Sequence, residues 1–194
     1  MVDNFNLIKS FLDFSEKDTF YFLQIIQRKK DGNDNIKDNI IIKDFFIKSI
    51  KHFEDIYPQI KFYCDTFNAR AYIRLNKVFY DKVAFETLCL ISEMLKTGNT
   101  QSVKSAYTTA CGRKCYDKDK KWIIDIDDIG VDIDDIYNVI NNSMSKNVGY
   151  NILGKIPTKN GFHLITIPFD CREFKNKYSD IDIHKNNPTI LYVP

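Results

Sequence analysis

A chain of 194 residues with 44% hydrophobic and 28% charged residues can bury a full core, as one large domain or two small lobes. A formal net charge of +2 neither demands nor excludes nucleic acid, so the informative charge is local. No apolar run approaches membrane-spanning length, and the first residues lack the basic start and apolar core of a signal peptide, so a cytoplasmic protein without a membrane partner is expected. Five cysteines without regular spacing fit reduced thiols; Cys111 and Cys115 would supply at most half a zinc site, and zinc is not expected.

In chain order, residues 6–14 form a short amphipathic lead-in. Residues 19–28 are rich in aromatic and β-branched side chains and predict a strand running into a turn over 29–35. Asp44 then reads as a helix N-cap, with Phe46, Ile50, Phe53 and Tyr57 on one face and Pro58 closing the segment. Residues 61–67 and 69–75 predict two strands joined at Asn68. Asp81 is expected to cap a helix whose Ala84, Leu88, Ile91 and Leu95 face inward, ending at Gly98-Asn99. Another helix is expected over 102–110.

The latter half predicts a strand ending in Asp125, Ile126 and Asp127, then a helix over 133–144 with Ile136, Val139 and Ile140 inward. Strands follow over 150–156 and 162–169, with a turn over 157–161 between them. A short helix or turn over 171–178, a strand over 180–185, a turn at 186–188 and a last strand over 189–193 complete the chain. The expected class is α+β: an N-terminal α/β lobe over 1–110, and an antiparallel or mixed sheet with helices on one side over 111–194. No internal repeat is visible.

The chemistry centres on residues 121–128. In a strand, Trp122, Ile124 and Ile126 point one way and Ile123, Asp125 and Asp127 the other, with the two carboxylates about 7 Å apart. Asp is a poor strand former, and a carboxylate pair repels itself unless a cation is present, so the pattern fits either a divalent-metal site or a polar strand end. Asp128 falls out of the pair by parity and reads as a turn residue. Parity applied twice more sets His163 opposite Phe162 and Leu164, and Asp182 opposite Ile181 and Ile183. Three strands thus each offer a polar or acidic residue to one sheet face.

In this order the motifs resemble those of the archaeo-eukaryotic primase superfamily. Asp125-Ile126-Asp127 resembles the first catalytic motif, residues 158–164 with His163 the second, and Asp182 the third. Arg70-Ala71-Tyr72-Ile73-Arg74 resembles the Arg-x-Tyr strand of viral and plasmid primase-polymerases, so bacteriophage origin and host cytoplasm are implied. Two departures stand out: Gly161 occupies the place where the second motif usually carries Ser, and no complete zinc set, helicase region or C-terminal priming domain is present.

The resemblance implies a primase-like catalytic core with an RRM-like catalytic lobe and metal-dependent nucleotidyl transfer on single-stranded DNA. Asp125, Asp127 and Asp182 would hold two Mg²⁺ or Mn²⁺ ions, and His163, Lys159, Asn160 and Lys185 would contact the nucleoside triphosphate. Arg70, Tyr72 and Arg74 would meet template or primer, with Tyr72 either stacking on a base or filling core. A helicase or accessory subunit is the expected partner. The rivals are a metal-dependent nuclease and a non-catalytic nucleic-acid-binding module.

Overall fold

The computed structural model describes residues 1–32, 36–113, 119–127, 130–143 and 151–194. The expectations for Cys115, Asp128, Met144 and Tyr150 lie outside the described residues. The chain is α+β, with two antiparallel sheets. Val2–Asp3 (β1) and Phe5–Phe11 (α1) lead to Thr19–Gln27 (β2), the strand the first sheet is built around. Its Tyr21, Leu23 and Ile25 enter one apolar cluster while Phe20 and Phe22 enter another, so both faces are covered and the aromatic run is buried throughout its first half.

Ile40–Ile47 (β3) pairs with β2, then Ile50–Phe67 (α2) crosses back to Arg70–Ile73 (β4). The expected helix from Asp44 is corrected here: Asp44 is a strand residue opposite Gln24, and the cap is Ser49, whose hydroxyl accepts from the His52 amide at 3.0 Å. Pro58 lies inside α2, and residues 61–67 are its last turns rather than a strand. Phe53, Ile60 and Cys64, all buried, keep helical spacing through the proline, so packing against the sheet outweighs the one hydrogen bond Pro58 cannot donate. Asn68, with φ 44°, ends the helix in the left-handed region.

Val78–Phe79 (β5) precedes Tyr80–Lys96 (α3) and, after a 3₁₀ segment over Thr100–Ser105, Ala106–Gly112 (α4). The inward face of α3 is rotated from the expected one. Val83 and Leu90 are buried, whereas Leu88 and Leu95 are 67% and 57% exposed and Ala84 is exposed too. Asp81 lies within the first turn, and Phe79 is the capping position. The four-stranded second sheet follows: Trp122–Asp127 (β6), Ile133–Asn142 (α5), Ile152–Pro157 (β7), Gly161–Thr166 (β8), Cys171–Lys177 (α6) and Asp182–His184 (β9). Its β-α-β-β-α-β order and strand sequence β7-β8-β6-β9 are those of a ferredoxin-like split βαβ unit. Ile136, Val139 and Ile140 of α5 are buried against it, as the periodicity predicts.

Thr189–Val193 (β10) does not stay with the second sheet. It returns to the first, between β1 and β4, so the two sheets share one chain end. Buried Asn76 adds a second tie: its amide donates to the Lys121 carbonyl at 3.1 Å and accepts from the Lys121 amide at 2.7 Å. Cys64 and Cys111 are buried, packed as small apolar groups in two different clusters. Among the described residues no helix is long and apolar enough to cross a membrane.

Lys77, buried beneath the 12–18 segment, reaches Asp13 at 2.7 Å and Glu16 at 3.1 Å. Its ammonium and the Ser15 amide hold the Asp13 carboxyl down at about 2. A folded value below the unfolded ~3.9 stabilises the fold above about pH 4, and this is lost as pH falls through about 2. Urea unfolding from pH 5 to 2 should therefore show a shallower acid loss in Asp13→Asn than in the wild type; the half-exposed carboxylate keeps the difference modest.

Candidate active site

Strand register assembles the site. Asp125 of β6 is paired on one side with His163 of β8 and on the other with Asp182 of β9. Directly paired residues in antiparallel strands share a face, so these three side chains form one lateral row, and Asp127 lies two residues along the same face. Towards the other end of that face Ile123 pairs with Ile165, and both join the cluster around the first sheet. The face is therefore apolar where the sheets meet and acidic where they part.

Where they part lies a cleft of about 440 Å³. Arg28, Lys30, Arg70 and Tyr72 line it from the first sheet and the turn after β2. Asp125, Asp127, His163 and His184 line it from the second sheet, with the Thr158–Asn160 turn and Asn187-Pro188 at its rim. Cations thus face carboxylates across a space within the range of small-ligand pockets. Arg28 donates to the Tyr72 hydroxyl at 2.9 Å, which fixes Tyr72 as a half-buried wall of the cleft rather than core. Arg70 is buried and ion-pairs with Asp31, while its Nε has no hydrogen-bond partner.

His163 is buried and engaged at both nitrogens. Nε2 stands 3.3 Å from Asp125 Oδ1, and Nδ1 lies 2.8 Å from the hydroxyl of Thr189, a fully buried residue of β10. The tautomer with the proton on Nε2 satisfies both contacts, donating to the carboxylate and accepting from the threonine. That donation outweighs the opposing effect of burial and holds the Asp125 carboxyl below the usual carboxylate range, so it is ionised at neutral pH.

Gly161 begins β8 directly opposite Asp127. A Cβ there would meet the Ile126 carbonyl oxygen at 2.1 Å and the Asp127 Cα at 2.9 Å. The place where the resembled motif carries Ser is closed to any side chain here, because β8 approaches β6 too closely.

Compared with known proteins, the chain matches no family model, no curated protein and no solved structure. Asp125, Asp127, His163, Lys159, Asn160, Arg70 and Tyr72 meet at the cleft. Asp182 is brought beside Asp125 by register and lies exposed on the edge strand β9. Two expected residues lie elsewhere. Arg74, beyond the end of β4, donates to the Asn186 carbonyl and packs near Gly112. Lys185 sits 4.7 Å over the Trp122 ring on the opposite face of the sheet, because strand alternation gives the cleft side to His184. The basic run over 28–30, which the sequence offers as a contact for template or primer phosphates, brings Arg28 and Lys30 to the cleft; His184 is the lining residue the sequence reading leaves out, although the parity of Asp182 points to it.

The donors offered by Asp125, Asp127 and Asp182 are all carboxylate oxygens, the kind that Mg²⁺ and Mn²⁺ take. Among the described residues no three His, Cys, Asp or Glu side chains converge as a ready ligand set. Asp125 is turned to His163, and Asp182 is directed to solvent.

Proposed function

We propose that this chain is a metal-dependent nucleotidyltransferase of primase or primase-polymerase type, extending a strand on a single-stranded DNA template. The observation that carries the reading is the register: the acid of the third motif and the histidine of the second flank the first acid of the Asp-x-Asp pair on one face, opposite a basic wall. Nothing in a short motif requires its parts to become neighbours, so their meeting adds support beyond the order of the residues. The β-α-β-β-α-β order of the second sheet supports an RRM-like catalytic lobe of the kind the primase resemblance implies.

Asp125, Asp127 and Asp182 would hold Mg²⁺ or Mn²⁺, which when bound activates the attacking 3′-hydroxyl and stabilises the leaving pyrophosphate. The chain's own residues supply the rest. His163 keeps Asp125 charged and oriented, Lys159 and Asn160 stand at the rim where a triphosphate would enter, and Arg28, Lys30 and Arg70 offer cations to phosphates. A helicase or accessory replication subunit is the partner this activity would need.

Incubating the protein with single-stranded template, labelled nucleotides and Mg²⁺ or Mn²⁺ should give extended product and pyrophosphate. Asp125→Ala combined with Asp127→Ala should abolish both while leaving the fold intact by circular dichroism. Degradation of a labelled strand without synthesis would identify a nuclease, and metal-independent binding without any product would identify a binding module; either outcome removes the proposal.

A further inference from the structure

The cleft holds two imidazoles in opposite situations. His163 spends both ring nitrogens within the protein, one on Asp125 and the other on Thr189. His184 lies on the same sheet face, paired with Ile123 and two residues from Asp182, and it lines the cleft that Arg28, Lys30 and Asn187 also line. It is half-buried, and its ring makes no hydrogen bond to a described residue. A ligand can gain a hydrogen bond from His184 without breaking one, whereas a contact with His163 must first release Asp125 or Thr189.

We infer that His184 is the imidazole that contacts the phosphates of a bound nucleoside triphosphate, and that His163 is a positioning residue acting through Asp125. This rests on the nucleotidyltransferase reading and specifies which groups receive the substrate. The position supports it: His184 lines the same cleft as Arg28 and Lys30, while His163 is locked into the carboxylate row. Thr189 explains the lock, because its hydroxyl comes from the other sheet and fixes the ring from behind.

Because the chain has only 3 histidines, imidazole nitrogen NMR distinguishes them directly. Titrating Mg²⁺ with a nucleoside triphosphate, and separately with inorganic tripolyphosphate, should move the His184 signals and leave His52 on α2 as an unmoved internal control. In equilibrium binding with a fluorescent nucleoside triphosphate and Mg²⁺, His184→Ala should weaken affinity about tenfold or more, the size of one hydrogen bond to a charged group. His184→Gln, which keeps a donor, should recover part of that loss. In turnover, His184→Ala should raise KM, whereas His163→Ala and Thr189→Val should lower kcat with KM little changed. Tripolyphosphate signals confined to His163, or nucleotide affinity lost in His163→Ala and kept in His184→Ala, would overturn the assignment and leave the enzyme reading standing. A wild-type protein that binds no triphosphate at all would overturn both.

Discussion

Gly161→Ala is expected to destabilise the protein by about 3 kcal/mol, at the upper end of the cost of forcing atoms into a packed site. The clash is with backbone: the new methyl would stand 2.1 Å from the Ile126 carbonyl oxygen, so no rotamer change relieves it and β8 must move away from β6. That movement acts at the proposed active site. The Asp127–Gly161 and Asp125–His163 pairs stand on the same ladder with only the Ile126–Phe162 pair between them, so displacing the first loosens the second. Urea unfolding should show a lower midpoint with unchanged slope, and metal-dependent synthesis should fall with it. Gly161→Ser should behave the same way, although it would restore the residue usual in the resembled motif. An active, stable Gly161→Ser protein would show that β8 does not press on β6 as closely as the geometry states.

The acidic strand was legible because its information is local. Alternation alone separates Asp125 and Asp127 from Ile124 and Ile126, and the structure places those isoleucines in the cluster beneath α5 and α6. The same alternation placed His163 and Asp182 correctly, yet sequence could not reveal that β8 and β9 are the two neighbours of β6. Adjacency depends on topology, and only adjacency turns three parities into one row. The partner of His163 was less accessible still, since Thr189 lies on a strand of the other sheet. Charge points to Lys185, which lies over Trp122, whereas parity gives the cleft side to His184. In the first half, Pro58 was read as a terminator although Phe53, Ile60 and Cys64 carry the helical spacing past it. Asp44 was read as a cap because capping residues also occur in strands, where this one accepts a hydrogen bond from Gln24 at 2.9 Å. For α3 two apolar stripes coexist, and the sequence does not say which one the sheet covers.

Arg70→Met is expected to be the most destabilising single change on the basic wall, costing about 3–5 kcal/mol, because it strands a buried carboxylate. The side chains of Arg70 and Asp31 are only 10% and 9% exposed, so Asp31 cannot recover full hydration once its partner is gone. Asp31→Leu alone should cost a similar amount by stranding the guanidinium. The double variant should regain most of the loss, since removing both charges together also removes both desolvation penalties. Binding should not follow stability. Arg70 lines the cleft and its Nε is unpartnered, so the single Arg70 variant and the double variant should both bind single-stranded DNA more weakly, with a log–log salt slope reduced by about 1. Denaturant unfolding and salt-dependent binding on the same three proteins separate the two roles. A double variant that recovers both stability and affinity would make the pair a purely structural clamp on the turn carrying Arg28 and Lys30. One that recovers stability alone identifies Arg70 as a phosphate contact, which Asp31 holds in place and only partly satisfies.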